Sequence, residues 1–224
     1  MSAHLKFFLL SAVVLMAQVE LRASSIVNFD FGAVPITCGL HYAYQAFGGD
    51  CNSNPPQQDF NSAPGFGWTF LVHGANGLTG PNTLFDPPPF TGLPFSQAAF
   101  LQDSHSFVAQ AVGIAAGSYT LSFYLGSRYA SGGGDDGDQT VEALINGKPI
   151  GTWALTSFTP FTLETAPFTI STDGSYVLQF MGLNPGDHTA FLSDVNITPT
   201  VPEPSSLALL ATAVLGGLAR LYRR

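Results

Sequence analysis

The chain has 224 residues, of which only 10% are charged, and a formal net charge of −8 at pH 7. Lys6, Arg22, Arg220, Arg223 and Arg224 sit near the termini, so between residues 24 and 200 only Arg128 and Lys148 face thirteen carboxylates, a net charge of −11. A phosphate-binding surface needs clustered Lys and Arg, which excludes nucleic acid and makes anionic lipid surfaces poor partners.

The N-terminal stretch MSAHLKFFLLSAVVLMAQVELRASS places Lys6 ahead of an apolar run from Phe7 to Ala17. That is the charged start and short apolar region of a secretory signal peptide, here residues 1–23, with Ala17 and Ala23 as cleavage candidates. Residues 24–200 are then the exported body, long enough for one domain with a full core. Its low charge and abundant Gly, Pro, Thr, Ser and Phe suit an all-β extracellular module.

Along the body, strand patterns recur and helix patterns do not. Candidate strands are SIVNFDF, GWTFLV, QAAFLQ, HSFVAQAV, SYTLSFYLG, PFTLETAPFTI, STDGSYVLQFMG and TAFLSDVNIT. In SYTLSFYLG, Tyr119, Leu121, Phe123 and Leu125 alternate with Ser118, Thr120, Ser122 and Tyr124, as a half-buried strand requires. TVEALINGKPIGTWAL carries Asn146-Gly147 between two β-rich runs, a type I′ hairpin signal. Such short strands with Gly, Pro, Asp and Asn punctuation predict an antiparallel β-sandwich. Gly39 to Pro64 and Gly74 to Pro94 read as long loops.

Cys38 and Cys51 close a short loop. In an exported chain the default reading is a disulfide, contributing about 3 kcal/mol; the alternative is a metal pair with His41, since Cys38-x-x-His41 has ligand spacing. Tyr42, Tyr44 and Phe47 lie in the first long loop, and Trp68 follows a Gly-Phe-Gly turn. An aromatic face packs on the C–H side of a pyranose, so Tyr42, Tyr44 and Trp68 are glycan-binding candidates, although most aromatics in so Phe-rich a chain must be core. SRYASGGGDDGDQT is the most charged loop. Its Asp135, Asp136 and Asp138 could offer oxygen ligands to Ca²⁺ but do not match the EF-hand register, and a solvated hairpin loop is the simpler reading. Arg128 beside it either pairs with these aspartates or hydrogen-bonds a sugar hydroxyl or uronate.

Enzyme signatures are missing: no Gly-x-Ser-x-Gly elbow, His-Glu-x-x-His, phosphate loop or Cys-x-x-Cys occurs. Asp103-Ser104-His105-Ser106 holds triad residue types, but triad members meet through the fold and neighbours on a strand alternate faces, so a polar strand start is expected. A pair of carboxylates for glycoside hydrolysis cannot be picked from thirteen acids. The expectation is a protein that is not an enzyme.

The chain ends VPEPSSLALLATAVLGGLARLYRR. Its apolar residues point all round a helix, which suits lipid and not the surface of a small domain. Through Tyr222, with Arg220 snorkelling, residues 205–222 make a short membrane span, about 27 Å at 1.5 Å per residue. Arg220, Arg223 and Arg224 would hold that end in the cytoplasm. The sequence therefore predicts a β-sandwich flanked by a signal helix and a C-terminal transmembrane helix. The triplet Pro202-Glu203-Pro204, the apolar span and the terminal Arg cluster together resemble the PEP-CTERM sorting signal of bacterial surface proteins, covering residues 201–224. That resemblance implies recognition by an exosortase, a membrane-bound sorting enzyme, with a transient stay in the inner membrane, in bacteria that make extracellular polysaccharide.

A second resemblance covers the body. The order VNFDFG, GSYTLSFYLGSR, TVEALINGKPIGTW and GDHTAFLSDVNI is similar to the galactose-binding-like jelly rolls of carbohydrate-binding modules. It implies a bound extracellular polysaccharide and a structural Ca²⁺ shared by Asp30 and Asp194, although Ser193 replaces a carboxylate common in that final strand. Two functional classes follow: an exported polysaccharide-binding module, or a structural matrix protein without a ligand, with a glycan-active enzyme third.

Overall fold

The computed structural model describes residues 26–46, 48–71, 75–83, 85–129 and 137–200. The signal peptide, Phe47, Asp135 and Asp136, the triplet Pro202-Glu203-Pro204 and the cluster Arg220, Arg223 and Arg224 lie outside these residues. So do the flanking helices. Among the described residues every element is a strand, and no helix is long and apolar enough to cross a membrane.

Twelve strands form two sheets. In chain order they are β1 (Tyr42–Gln45), β2 (Gln57–Gln58), β3 (Thr69–Phe70), β4 (Asn76–Thr79), β5 (Ala98–Gln102), β6 (Phe107–Ile114), β7 (Gly117–Ser127), β8 (Thr140–Ile145), β9 (Lys148–Ala154), β10 (Thr162–Ile170), β11 (Gly174–Gly182) and β12 (Thr189–Pro199). The larger sheet has seven strands in the order β10-β7-β12-β5-β4-β1-β2, and the smaller has five in the order β3-β6-β11-β8-β9. Neighbours are antiparallel except the short pair β1 and β2. This is the expected all-β sandwich.

The two sheets pack face to face because alternate residues of each are apolar. Leu121, Phe123 and Leu125 of β7 and Ala190 and Leu192 of β12 meet Val108 and Val112 of β6 and Leu178 and Phe180 of β11 in one buried cluster. Asn146 and Gly147 have φ of 48° and 73°, the double left-handed conformation of a type I′ turn, and join β8 to β9.

The other face of the seven-stranded sheet is also covered. Phe100 of β5 and Phe191 of β12 are fully buried there beneath Phe85, Phe90 and Phe95, with Tyr42, Tyr44, Tyr124 and Phe161 packed around them. The segment that supplies this cover contains Pro87, Pro88, Pro89 and Pro94, which lack the N–H a ladder needs, so it lies across the sheet as an irregular strap. At Gly126 a Cβ would sit 3.0 Å from Pro88 Cγ and 3.2 Å from Phe161 N, so a side chain there would push the strap off.

Three expectations are corrected. SIVNFDF is not a strand: Asn28 and Phe31 have φ of 53° and 58°, and side chains take up its backbone groups. The Gln110 amide accepts from Val27 N and donates to Val27 O, both at 2.8 Å, and Trp68 Nε1 donates to Asn28 O at 2.9 Å. The segment still lies beside β12, through Val195 N to Phe29 O at 2.9 Å. The stretch Gly39 to Pro64 contains β1 and β2, and Gly74 to Pro94 contains β4. Strands of two to four residues are too short for a periodic signal and exist because a sheet edge was there to extend.

Candidate functional site

Cys38 and Cys51 are bonded, with 4.9 Å between their Cα atoms, which resolves the choice against a metal pair with His41. The bridge ties the chain before β1 to the loop that leads to β2. Gln58 reinforces it, accepting from Thr37 N at 2.9 Å and donating to Pro35 O at 3.0 Å.

Three of the four glycan-binding candidates converge. Tyr42 and Tyr44 project from β1 onto the strap-covered face, where both meet the Phe85 ring. Tyr42 stacks on it at 5.3 Å, and Tyr44 meets it edge-on at 5.8 Å. Arg128, just past the end of β7, places its guanidinium carbon 5.0 Å from the same ring centre, a cation–π contact. Its Nη1 donates to Asp187 Oδ1 at 2.9 Å, and Gln102 Nε2 donates to that same oxygen. The Tyr44 hydroxyl completes the chain by donating to Gln102 Oε1 at 2.5 Å.

Register explains the convergence. Tyr44 pairs with Gly77, Gly77 with Phe100, Phe100 with Phe191 and Phe191 with Gly126, so these five form one row across the sheet. Two residues further along lies the next row on the same face: Gln102 opposite Thr189, whose carbonyl accepts from Arg128 N at 3.1 Å. Thr189 is fully buried, and its Oγ1 has no hydrogen-bond partner among the described residues. Burial, and secondarily the Asp187 charge, pushes the Tyr44 phenol above its usual range, which keeps it a neutral donor. Tyr42 and Tyr44 remain half-buried, and the Asp187 side chain is 59% exposed. The site thus offers partly open aromatic edges beside a guanidinium, a carboxylate, an amide and a phenol.

Trp68, the fourth candidate, is corrected. It is 2% exposed, 5.0 Å from Phe31 and 6.5 Å from Phe180, inside the main core. Its indole N–H is spent on Asn28 O, so it presents no face to a sugar. Phe85, Gln102 and Asp187 were not anticipated. Phe85 sits in a proline-rich segment without periodicity, and Asp187 lies in a turn. Only the period-two placement of Gln102 on the face of Phe100 was recoverable in principle.

Asp30 and Asp194 belong to adjacent segments, yet each carboxylate has a local partner. Asp30 Oδ1 accepts from Gly32 N at 3.0 Å, and Asp194 Oδ1 from Asn196 Nδ2 at 3.2 Å. Asp194 lies where the pairing of β12 with β7 shifts register, with φ of 51°. The Ser193 hydroxyl shares its hydrogen between Gln97 O at 2.8 Å and Asp30 O at 3.3 Å, so carbonyl oxygens that could serve a cation already accept a hydrogen bond. Among the described residues no group of three or more His, Cys, Asp or Glu side chains gathers for a metal.

The Asp103 to Ser106 stretch is a turn. Asp103 and His105 have φ of 72° and 64°, and Asp103 Oδ1 accepts from Ser104 N at 2.6 Å and Gly186 N at 2.8 Å. These backbone bonds, the Gly186 one first, hold its carboxyl below the ordinary value. Gln139 ties this turn to the loop bearing Asp187. It is fully buried, donates to His188 O at 2.7 Å, and accepts from Asn184 N at 2.8 Å and Leu183 N at 3.1 Å. Asp138, next to it, pairs with His188.

Residues 200–224 match a family model described as the PEP-CTERM protein-sorting motif. No curated protein matches the chain. Among solved structures, the apo form of a cyclase from Fischerella sp. is 14% identical, with a TM-score of 0.51, over 80% of this chain and 99% of that one. The Stig cyclase Fisc from Fischerella sp. TAU gives 14% identity and a TM-score of 0.50 over 80% and 98%. A carbohydrate-binding module of Cellvibrio mixtus lichenase 5A, solved with cellotriose, gives 18% identity and a TM-score of 0.37 over 50% and 83%. The likeness to the cyclases is one of fold. The chain thus carries an export and sorting motif, PEP-CTERM, at residues 200–224, behind a two-sheet β-sandwich body.

Proposed function

We propose that this is an exported bacterial protein, sorted through its C-terminal motif by an exosortase-type enzyme, whose β-sandwich binds extracellular polysaccharide at the Arg128 cluster. The observation that carries the binding reading is the convergence of Tyr42, Tyr44 and Arg128 on Phe85, beside Gln102 and Asp187. Pyranose C–H faces pack on aromatic rings, and guanidinium, carboxylate and amide groups read hydroxyls in the plane of the ring. A glycan array probed with the mature exported protein tests this. Retention of a glycan by the wild type, reduced about tenfold or more by Arg128→Ala or Tyr42→Ala, is the expected result, each such step being about 1.4 kcal/mol. A protein that retains no glycan is an inert matrix component instead. That second reading is favoured by the bonds Arg128 and Tyr44 already make within the protein.

Sorting follows from the tail. Pro202 and Pro204 disfavour helix and keep the triplet extended for an enzyme to grip, and the apolar run with its arginines halts export in the inner membrane. Cleavage near Pro204 then leaves the body at the cell surface or in the medium. Mature protein should lack residues after about Ser205, and replacing Pro202-Glu203-Pro204 with alanines should leave the full-length chain in the membrane. Mature protein that keeps Leu221 to Arg224 would make the tail a permanent anchor. Any calcium ion between Asp30 and Asp194 would bind only weakly, because it would have to compete with the local bonds each carboxylate makes.

A further inference from the structure

A groove of about 520 Å³ opens at the end of the sandwich away from Arg128, lined by the β8–β9 turn, the end of β10 and the start of β11. Here the edge strands β9 and β10 of the two sheets run side by side without a shared ladder, so the sandwich stays open. Half-buried Tyr176 supplies an aromatic ring, Phe168 belongs to the buried core behind the groove, and Asn146, Thr169 and Ser171 are exposed polar groups among its lining residues. Both rings are held in place: the Tyr176 hydroxyl donates to Thr172 O at 2.7 Å, and Phe168 stacks on Tyr119 at 5.6 Å. A ligand would meet the Tyr176 ring with little ordering left to do.

The charge at this groove differs from the rest of the surface. Lys148, also in its lining, is the one lysine between residues 24 and 200, is exposed, and forms no ion pair among the described residues. Asp86, Asp103, Asp138 and Asp187 lie at the opposite end of the strands. The eleven residues of β12 separate the two ends by roughly 35 Å, several Debye lengths at physiological salt. Asp173, in the β10–β11 turn, also lies at this end, and its Oδ1 accepts from Ala116 N at 2.8 Å. A negative ligand therefore finds an uncommitted ammonium here that the acidic body denies it elsewhere.

We infer that this groove is a second binding site, for a carboxylate-bearing sugar such as a uronate unit of an acidic polysaccharide. The sugar class rests on the polysaccharide reading above, while the residues are independent of the Arg128 cluster. The carboxylate pairs with the Lys148 ammonium, the C–H face of the ring packs on Tyr176, and the hydroxyls meet Asn146, Thr169 and Ser171. The last residues of β12 also reach this end, where Thr200 N donates to Ser118 O at 2.8 Å.

The test is titration of mature exported protein with oligogalacturonate, and with a neutral cello-oligosaccharide as control, followed by calorimetry and by amide shifts of the Lys148 turn. The Lys148 turn of the wild type should shift with the uronate and not with the neutral sugar, and more weakly as salt rises. Lys148→Glu should cut affinity at least about tenfold with an unchanged melting temperature, and Arg128→Ala should leave the shifts at this turn intact. Equal shifts of this turn by both sugars, or undiminished shifts in Lys148→Glu, overturn the site. If Arg128→Ala alone abolishes uronate binding, this inference falls and the polysaccharide reading stands. If no glycan binds anywhere, both fall.

Discussion

Replacing Gln139 with leucine should be among the most damaging changes available outside the apolar core. The side chain is fully buried, so water cannot take over its bonds. Three of its partners keep a second bond: Leu183 N also donates to Thr140 O at 2.9 Å, Asp103 O also accepts from Ser106 Oγ at 2.9 Å, and His188 O also accepts from Asp103 N at 3.3 Å. The cost thus falls on the 2.8 Å bond from Asn184 N and the 3.0 Å bond from Thr140 N. A buried group left unpaired costs about 1–3 kcal/mol, so two lost bonds with some relaxation come to roughly 3 kcal/mol. For a domain of this size each kcal/mol lowers Tm by roughly 2–4 °C, which gives a fall of about 6–12 °C. Urea denaturation of the exported protein measures it directly, with the m-value as a check that only stability has changed. Gln139→Glu adds a pH test, because its carboxylate would face the carbonyls of His188 and Asp103. Its folded-state pKa would be raised, so the variant should lose stability as pH climbs above about 4.3. A loss below about 1 kcal/mol for Gln139→Leu, or no pH dependence for Gln139→Glu, would refute the view that this amide holds the loops together.

Three further outcomes follow from the same bonds. Intact-mass measurement of the exported protein should show two hydrogens fewer than the reduced chain, and replacing Cys38 and Cys51 together with serine should cost about 3 kcal/mol; free thiols in fresh material would contradict the bridge. Because Asp30, Asp194 and Ser193 already have local partners, chelation should move Tm by less than about 2 °C. A larger fall, restored by Ca²⁺, would mean that an ion displaces those bonds. Asp103 is depressed in the folded state by Gly186 N and Ser104 N, so its stabilisation is complete above the unfolded value and disappears as pH falls through the folded one. The Gly186 amide shift should therefore titrate below 3.8, and a midpoint at or above that value would show that the bond does not form in solution.

The long strands were legible because their information is local. Tyr119 to Leu125 alternate in the primary sequence, and Asn146-Gly147 specifies its turn with two residues. The sorting motif was legible for a similar reason, since a triplet, an apolar run and an Arg cluster act in that order along an extended chain. SIVNFDF misled because its pattern suits a strand, while the Gln110 and Trp68 side chains offered its backbone other partners. Trp68 misled because an indole in a turn-rich segment has no sequence mark separating a core residue from a platform.

What the sequence determined by itself was therefore the export and sorting tail, the all-β class and the residue types on each strand face. Only tertiary structure decided that Tyr42, Tyr44 and Arg128 share the Phe85 ring with Gln102 and Asp187. Those residues come from two strands, a strand end, a proline-rich strap and a turn, far apart in the chain. Their meeting depends on sheet order and register, which are set by non-local pairing and by the packing of the strap over Gly126. No short window of sequence holds that information, because a contact between β1 and the end of β7 is fixed by the three strands between them.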